Sequence, residues 1–305
     1  VQDSGRVVET HGKYHWVWDG RELLRAFPGG RLALPRGRER SRNRVAVGDL
    51  VRIRREPDGS ALIEGVEPRR NAVSRRMTFS GAEHVIAANL DLLCVVLAPN
   101  PALNTAFLDR TLVEAEGNSI PAAVVVNKMD LLDRREVEEA LAPYRALGYP
   151  LFPMAARTGE GVAPFLGAVA GKWVLLLGHS GVGKTTLVNR AAPGLDRPVG
   201  EVDPTRGKGR HTTTGAYAHR LPDGTFLVDT AGIREFGLSG VDFRILEGAF
   251  REIHEAGAAC RFPDCRHREE PRCAVREAVE AGRIAPSRYE SYLTLLREIE
   301  EEGPA

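Results

Sequence analysis

Residues 178–186 read GHSGVGKTT, directly after the apolar run KWVLLL at 172–177. An apolar strand that ends on glycine and gives way to Thr185-Thr186-Leu187, the start of a helix, is the setting in which a backbone can wrap a phosphate. Gly178, Gly181 and Gly183 let the chain bend with no Cβ in the way, so the loop His179, Ser180, Val182 and Gly183 can turn its amides inward near the positive helix end. Lys184 would reach the terminal phosphates, Thr185 would ligate Mg²⁺, and Thr186 closes the cradle. This reading places the centre of the chain in an α/β fold.

Two further stretches belong to the same chemistry. In LVDTAG at 227–232, Asp229 at a strand end is placed to hold Mg²⁺ through water, and the Gly232 amide to sense a γ-phosphate. In VVVNKMD at 124–130, Asn127, Lys128 and Asp130 follow an apolar strand, at the carboxyl edge where parallel sheets bind ligands. A carboxylate at Asp130 can accept from both N1–H and the exocyclic amine of guanine, a pairing adenine does not offer. Lys128 can cover the base with its aliphatic stem, Asn127 can tie neighbouring loops, and AARTGEG at 155–161 offers a backbone amide near Ala156 for the base carbonyl. The base-reading tetrad precedes the phosphate loop, the reverse of the usual order. The arrangement resembles the GTPase superfamily circularly permuted: joining the old termini and reopening the chain between DTAG and NKMD leaves sheet and site intact.

Around this core the rhythm of the sequence changes twice. LDLLCVVLA at 90–98, IPAAVVVNK at 120–128, KWVLLLG at 172–178 and GTFLVDTAG at 224–232 are strand-length apolar runs, with helical patterns expected at 104–117 and 134–147. Runs apolar on both faces that alternate with helices indicate a parallel sheet. Upstream, YHWVW, RVAVGDLVRI and ALIEGV are short runs separated by turn residues, which predicts four or five strands in a small barrel. After Gly240 the chain reads as helical again and ends in an amphipathic helix expected at 287–302. The fold class is therefore a multidomain α/β protein: an OB-like barrel over 1–72, a circularly permuted GTPase domain over 73–237, and a helical domain over 238–305 in which Cys260, Cys265, His267 and Cys273 suit zinc binding.

The formal charge of the 305 residues is only +1, yet the first 76 carry 17 Lys or Arg against 10 Asp or Glu. That asymmetry suits a polyanionic partner for the barrel, and RNA phosphates are such a partner. Tyr14, Trp16 and Trp18 either stack bases or alternate into the barrel core. No apolar run approaches the length needed to cross a bilayer, and no apolar signal-peptide core stands at the start, so a soluble cytoplasmic protein without membrane partners is expected. Nothing demands more than a monomer.

Cys260, Cys265, His267 and Cys273 fall in C-x4-C-x-H-x5-C spacing. Three thiolates and one imidazole make a closed tetrahedral Zn²⁺ site, structural because no position remains for water. Cys94, inside LLCVV, reads as a buried apolar residue.

A basic barrel, a permuted GTPase and a Cys3His module together resemble the ribosome small-subunit-dependent GTPase A family of bacteria. The stretches that carry the likeness are VGDLVRI, EPRRNAVSR, NKMDLL, GHSGVGKTTLVN, GRHTTTGA, DTAGIREFGL and the zinc spacing followed by CAV. The resemblance implies a GTP hydrolase acting late in maturation of the small (30S) subunit, binding 16S rRNA and stimulated by the subunit. Ala155 stands where serine is usual, Ala231 where proline is commoner, and Ile233 where many GTPases place a water-orienting Gln. Slow intrinsic hydrolysis is the expectation, with a polar group supplied on docking. His211 either orients the attacking water or contacts RNA, and Thr213 is the switch-one threonine expected on Mg²⁺. The rival reading, kept alive by Ile233, is an RNA-binding assembly protein that uses GTP as a structural ligand.

Overall fold

The computed structural model describes residues 3–33, 43–76, 83–99, 103–131, 134–192, 216–230 and 241–302. Five strands form the barrel: β1 (Asp3–Thr10), β2 (His15–Trp18), β3 (Leu23–Ala33), β4 (Leu50–Arg55) and β5 (Ala61–Val66). Their neighbour order is β1-β2-β3-β5-β4, and β4 returns to β1 through pairs from Asp3↔Ile53 to Arg6↔Leu50. Alternation supplies the core: Val7, Val17, Ala26, Ile53, Ala61 and Ile63 meet inside. Trp16 and Trp18 lie on the opposite face of β2 from Val17, outside the barrel core, and pack half-buried against the neighbouring α/β core.

A two-stranded ribbon that the sequence did not announce, β6 (Ala72–Arg76) and β7 (Glu83–Ala88), adjoins the barrel. Gly48 makes the joint possible. Its φ is +88°, and a Cβ there would stand 2.0 Å from the Ala88 carbonyl oxygen. Buried Asp49 clamps the same turn, accepting from the Ala46 amide and from both arms of Arg69 at 2.7 and 2.9 Å.

The α/β half contains β8 (Leu92–Leu97), α1 (Thr105–Gly117), β9 (Ala122–Val126), α2 (Arg134–Ala146), β10 (Leu151–Pro153), α3 (Val162–Val169), β11 (Trp173–Leu177), α4 (Lys184–Ala191), β12 (Ala216–Arg220) and β13 (Phe226–Thr230). Strands β10-β9-β8-β11-β13 are parallel, and β9, β8 and β11 are buried on both faces, as their continuous apolar runs require. Their carboxyl ends therefore share one edge. Helices expected at 104–117 and 134–147 are α1 and α2.

Strand β12 pairs antiparallel with β13 and also with β1 at Glu9↔Tyr217, so among the described residues one eleven-stranded sheet joins barrel and α/β core. The seam is reinforced at the amino edge of the parallel strands. The Arg6 guanidinium lies 3.6 Å from the Trp173 ring centroid, Trp173 stacks on Phe226, and Asp91 accepts from the Trp173 amide at 2.7 Å.

The C-terminal part is helical: α5 (Phe243–Ala249), α6 (Arg251–Gly257), α7 (Ala274–Glu280) and α8 (Pro286–Glu302). Leu246, Phe250, Ile253, Val275, Tyr292 and Leu296 form its core together with Val113 of α1. Arg288 of α8 is buried beside Asp109 of α1 and Glu252 of α6. Among the described residues no helix is long and apolar enough to cross a membrane.

Candidate functional site

At the carboxyl edge of the parallel strands the tetrad after β9, the base loop after β10 and the phosphate loop after β11 converge, beside the end of β13 at Asp229 and Thr230. The phosphate loop runs from Gly178 to the start of α4, with Gly181 at φ +83° and Gly183 at φ +97°. Both angles lie in the region that only glycine adopts freely. A Cβ on Gly178 would stand 2.3 Å from the Val96 carbonyl oxygen, and one on Gly183 would stand 2.1 Å from Asn127 Nδ2, so the glycines also make room for neighbouring loops.

Lys184 is buried at the first position of α4. Its ammonium donates to the carbonyls of Gly178 at 2.7 Å and His179 at 3.1 Å. Burial draws its pKa below the ordinary lysine value, against an upward pull from Asp229. Thr185 Oγ1 donates to Asp229 Oδ2 at 2.8 Å, which brings together two of the three residues assigned to Mg²⁺. Among the described residues Asp229 Oδ1 is buried without a hydrogen-bond partner, and burial pushes the carboxyl up from its ordinary value. An orphaned carboxylate oxygen beside a threonine hydroxyl fits a hydrated divalent cation.

Asn127 is the junction of the site. Its Nδ2 donates to the Val182 carbonyl and its Oδ1 accepts from the Ala156 amide, each at 2.9 Å. Tetrad, phosphate loop and base loop are thereby held by one buried side chain. Lys128 follows at φ +65°, a strained angle for a side chain of its size, and the turn Met129–Leu131 then carries Asp130. Asp130 Oδ2 accepts from Arg157 at 2.8 Å, and this partner holds the carboxyl below its ordinary value. Arg157 and Arg190, which donates to the Thr158 carbonyl, brace the base loop and were not singled out from the sequence. Nor was the contact of His179 with α1, where its ring lies 4.4 Å from that of Phe107 and its Nε2 3.3 Å from Asn104 Nδ2. Ser180 and Thr186 are exposed along the loop. His211, Thr213, Gly232 and Ile233 lie outside the described residues.

The second cluster is metal-like. Ligand atoms of Cys260, Cys265, His267 and Cys273 all lie within 4.8 Å of one another. The Cys260 and Cys273 sulfurs are 3.9 Å apart, and His267 Nδ1 is 3.5 Å from each. Tetrahedral bonds of about 2.3 Å put sulfurs about 3.8 Å apart, so the set is already near the geometry of a closed metal site. Burial pushes the Cys265 thiol up to about 12 in the metal-free cluster, so metal binding must displace its proton. Cys94 is wholly buried and far from ordinary thiol ionisation for the same reason.

Residues 66–239 match the model of the family described as RsgA GTPase. A relative from Bacteroides fragilis (strain YCH46), named small ribosomal subunit biogenesis GTPase RsgA, is 39% identical over 304 residues, covering 98% of this chain and 97% of its own. One of the same name from Gemmatimonas aurantiaca is 42% identical over 301 residues, covering 97% of both chains. The crystal structure of YjeQ from Thermotoga maritima superposes with a TM-score of 0.76 at 32% identity, over 98% of each chain. That of YloQ, titled a circularly permuted GTPase, gives 0.72 at 24% identity over 100% of this chain and 97% of its own, and shows the fold. With its phosphate loop downstream of its base-reading tetrad and these likenesses running nearly end to end, the chain belongs to the RsgA GTPase family.

Proposed function

We propose that the protein hydrolyses GTP to GDP and phosphate and acts late in maturation of the small (30S) ribosomal subunit; its relatives are named small ribosomal subunit biogenesis GTPases. The observation that carries the nucleotide reading is the pair of hydrogen bonds made by Asn127, which ties tetrad, phosphate loop and base loop into one cradle. In this reading Asp130 exchanges Arg157 for the guanine edge, and the Ala156 amide meets the base carbonyl. The loop amides from Gly178 to Thr186 surround the phosphates. Lys184, now donating to two loop carbonyls, turns its ammonium to the β- and γ-phosphate oxygens and neutralises charge as water attacks in line. Thr185, Asp229 and Thr213 are the residues that would hold Mg²⁺, which supplies further charge neutralisation on those oxygens. Gly232 and His211 are assigned to γ-phosphate sensing and water orientation.

The Cys3His cluster is assigned to one structural Zn²⁺, because its donor set is closed and rich in sulfur. The division into units 1–72, 73–237 and 238–305 assigns 16S rRNA contact to the barrel of a cytoplasmic monomer. A partly exposed cluster on the barrel supports RNA contact: Arg25 lies over the half-buried rings of Tyr14 and Phe27, and His11 stacks on Tyr14 at 4.5 Å.

Steady-state GTP hydrolysis by the protein alone, with 30S and with 50S subunits, tests the proposal, with ATP and Lys184→Ala as controls. A slow rate raised selectively by 30S is expected. Binding of GTP and 30S with no stimulation would instead assign the nucleotide a structural role.

A further inference from the structure

We propose that Glu247 is the outer carboxylate of the metal centre, holding Nε2–H of His267 so that Nδ1 is the nitrogen that binds the metal. The inference rests on the reading of Cys260, Cys265, His267 and Cys273 as a metal site, and deepens it.

The geometry of His267 distinguishes its two nitrogens. Nδ1 faces the sulfurs of Cys260 and Cys273 at 3.5 Å each. Nε2 points the other way, is buried, and has no hydrogen-bond partner. The carboxylate atom facing it is Glu247 Oε1, at 3.7 Å. A neutral imidazole bound through one nitrogen must carry its proton on the other, and that N–H needs an acceptor when buried. Glu247 is within a small side-chain movement of accepting it.

The surroundings are shaped for this pair. Gly257, at the end of α6, lies against both groups. A Cβ there would stand 3.2 Å from His267 Cε1, 3.3 Å from Nε2 and 3.6 Å from Glu247 Oε1. The residue is bounded on two other sides. His267 sits at φ +63° with its carbonyl accepting from the Tyr289 hydroxyl at 2.5 Å, and the Tyr292 ring lies 5.9 Å away. Glu247 Oε2 faces the exposed His254 at 3.7 Å, which leaves Oε1 for His267. Glu247 belongs to α5, whereas the four ligands lie between α6 and the start of α7, so the carboxylate would tie a further helix to the metal.

The test uses the full chain and Co²⁺ or Zn²⁺ as the probe. Affinity is measured by competition with a chromophoric chelator for wild type, Glu247→Gln and Glu247→Ala, each also in a His267→Cys background. Glu247→Ala is expected to weaken metal binding by about 10- to 100-fold and to shift the Co²⁺ absorption bands. Glu247→Gln, which keeps an acceptor oxygen, should lose less. With His267→Cys there is no imidazole N–H to hold, and Glu247→Ala should then change affinity by no more than about twofold. In the Zn²⁺-loaded wild type, long-range ¹H–¹⁵N correlation should show the His267 proton on Nε2. Equal losses in both backgrounds, no loss at all, or metal bound through Nε2 would overturn the proposal while leaving the metal site standing. Failure of the wild type to bind one equivalent of either ion would overturn both.

Discussion

Asn127 donates its side-chain amide to the carbonyl of Val182, 55 positions further along the chain, at 2.9 Å. In a permuted chain this is the bond that makes one site of two distant segments, since the same side chain also accepts from Ala156. Removing it strands a buried carbonyl and a buried amide, each costing about 1–3 kcal/mol. Asn127→Ala is expected to lower unfolding stability by about 2–6 kcal/mol on that basis. GDP affinity should fall at least about tenfold, because the loops must be ordered at the expense of binding. Urea unfolding and calorimetric titration with GDP measure the two effects.

The phosphate loop, the tetrad and the cysteine spacing were legible because each is local: neighbours in sequence supply the glycine freedom, the strand end or the ligand set. Helices expected at 104–117, 134–147 and 287–302 occur at Thr105–Gly117, Arg134–Ala146 and Pro286–Glu302 for the same reason. Ribbon β6–β7 was not legible, since AVSRR carries too few apolar residues to alternate visibly. The union of barrel and core through β12 was equally hidden, because pairing of AYAHR with β1 is decided by tertiary contact. Glu247 read as one acid among many on a helix. Its place opposite His267 depends on how α5 packs, which no spacing records.

Arg288 illustrates the same limit and carries a prediction. Inside an amphipathic helix an arginine reads as solvated, yet this one is 1% exposed and donates to Asp109 at 2.6 Å and to Glu252 at 2.6 Å. Burial pushes Asp109 above its ordinary value although Arg288 pulls it down, so the carboxylate depends on its partner. Arg288→Met is expected to cost about 3–5 kcal/mol by leaving that charge uncompensated. Adding Asp109→Asn, which keeps the acceptor for the Tyr144 hydroxyl, should recover part of the loss. A double-mutant cycle in urea measures the coupling.

His15 gives the barrel a pH dependence. Burial first, and repulsion from His11 second, draw its pKa from 6.5 down to about 4, against an upward pull from Asp49. A depressed folded pKa means that the neutral ring is the stable one. The contribution is fully present above 6.5 and is lost as pH falls from there to about 4. The span corresponds to a ceiling of about 3 kcal/mol. Unfolding followed by tryptophan fluorescence should show this slope in wild type, and His15→Leu should flatten it.

Asp229 separates the demands of folding from those of function. Burial raises its folded pKa, so its stabilising contribution is present below the ordinary carboxylate value and lost as pH rises through the raised one. At neutral pH the ionised group, with Oδ1 unpartnered, is a cost to the ligand-free protein. Asp229→Asn keeps an oxygen to accept from Thr185 and removes the charge, so the melting temperature without nucleotide should stay level or rise. Hydrolysis should move the other way. Losing the anionic group that Thr185 donates to should lower Mg²⁺-dependent GTP turnover by about a hundredfold, the size of one missing charge-stabilising contact. Half-saturation by Mg²⁺ should shift upward in the same variant. A stable Asp229→Asn protein with unchanged Mg²⁺ dependence would remove Asp229 from the metal side of the site, and a destabilised one would mean that the carboxylate serves the fold rather than the cation.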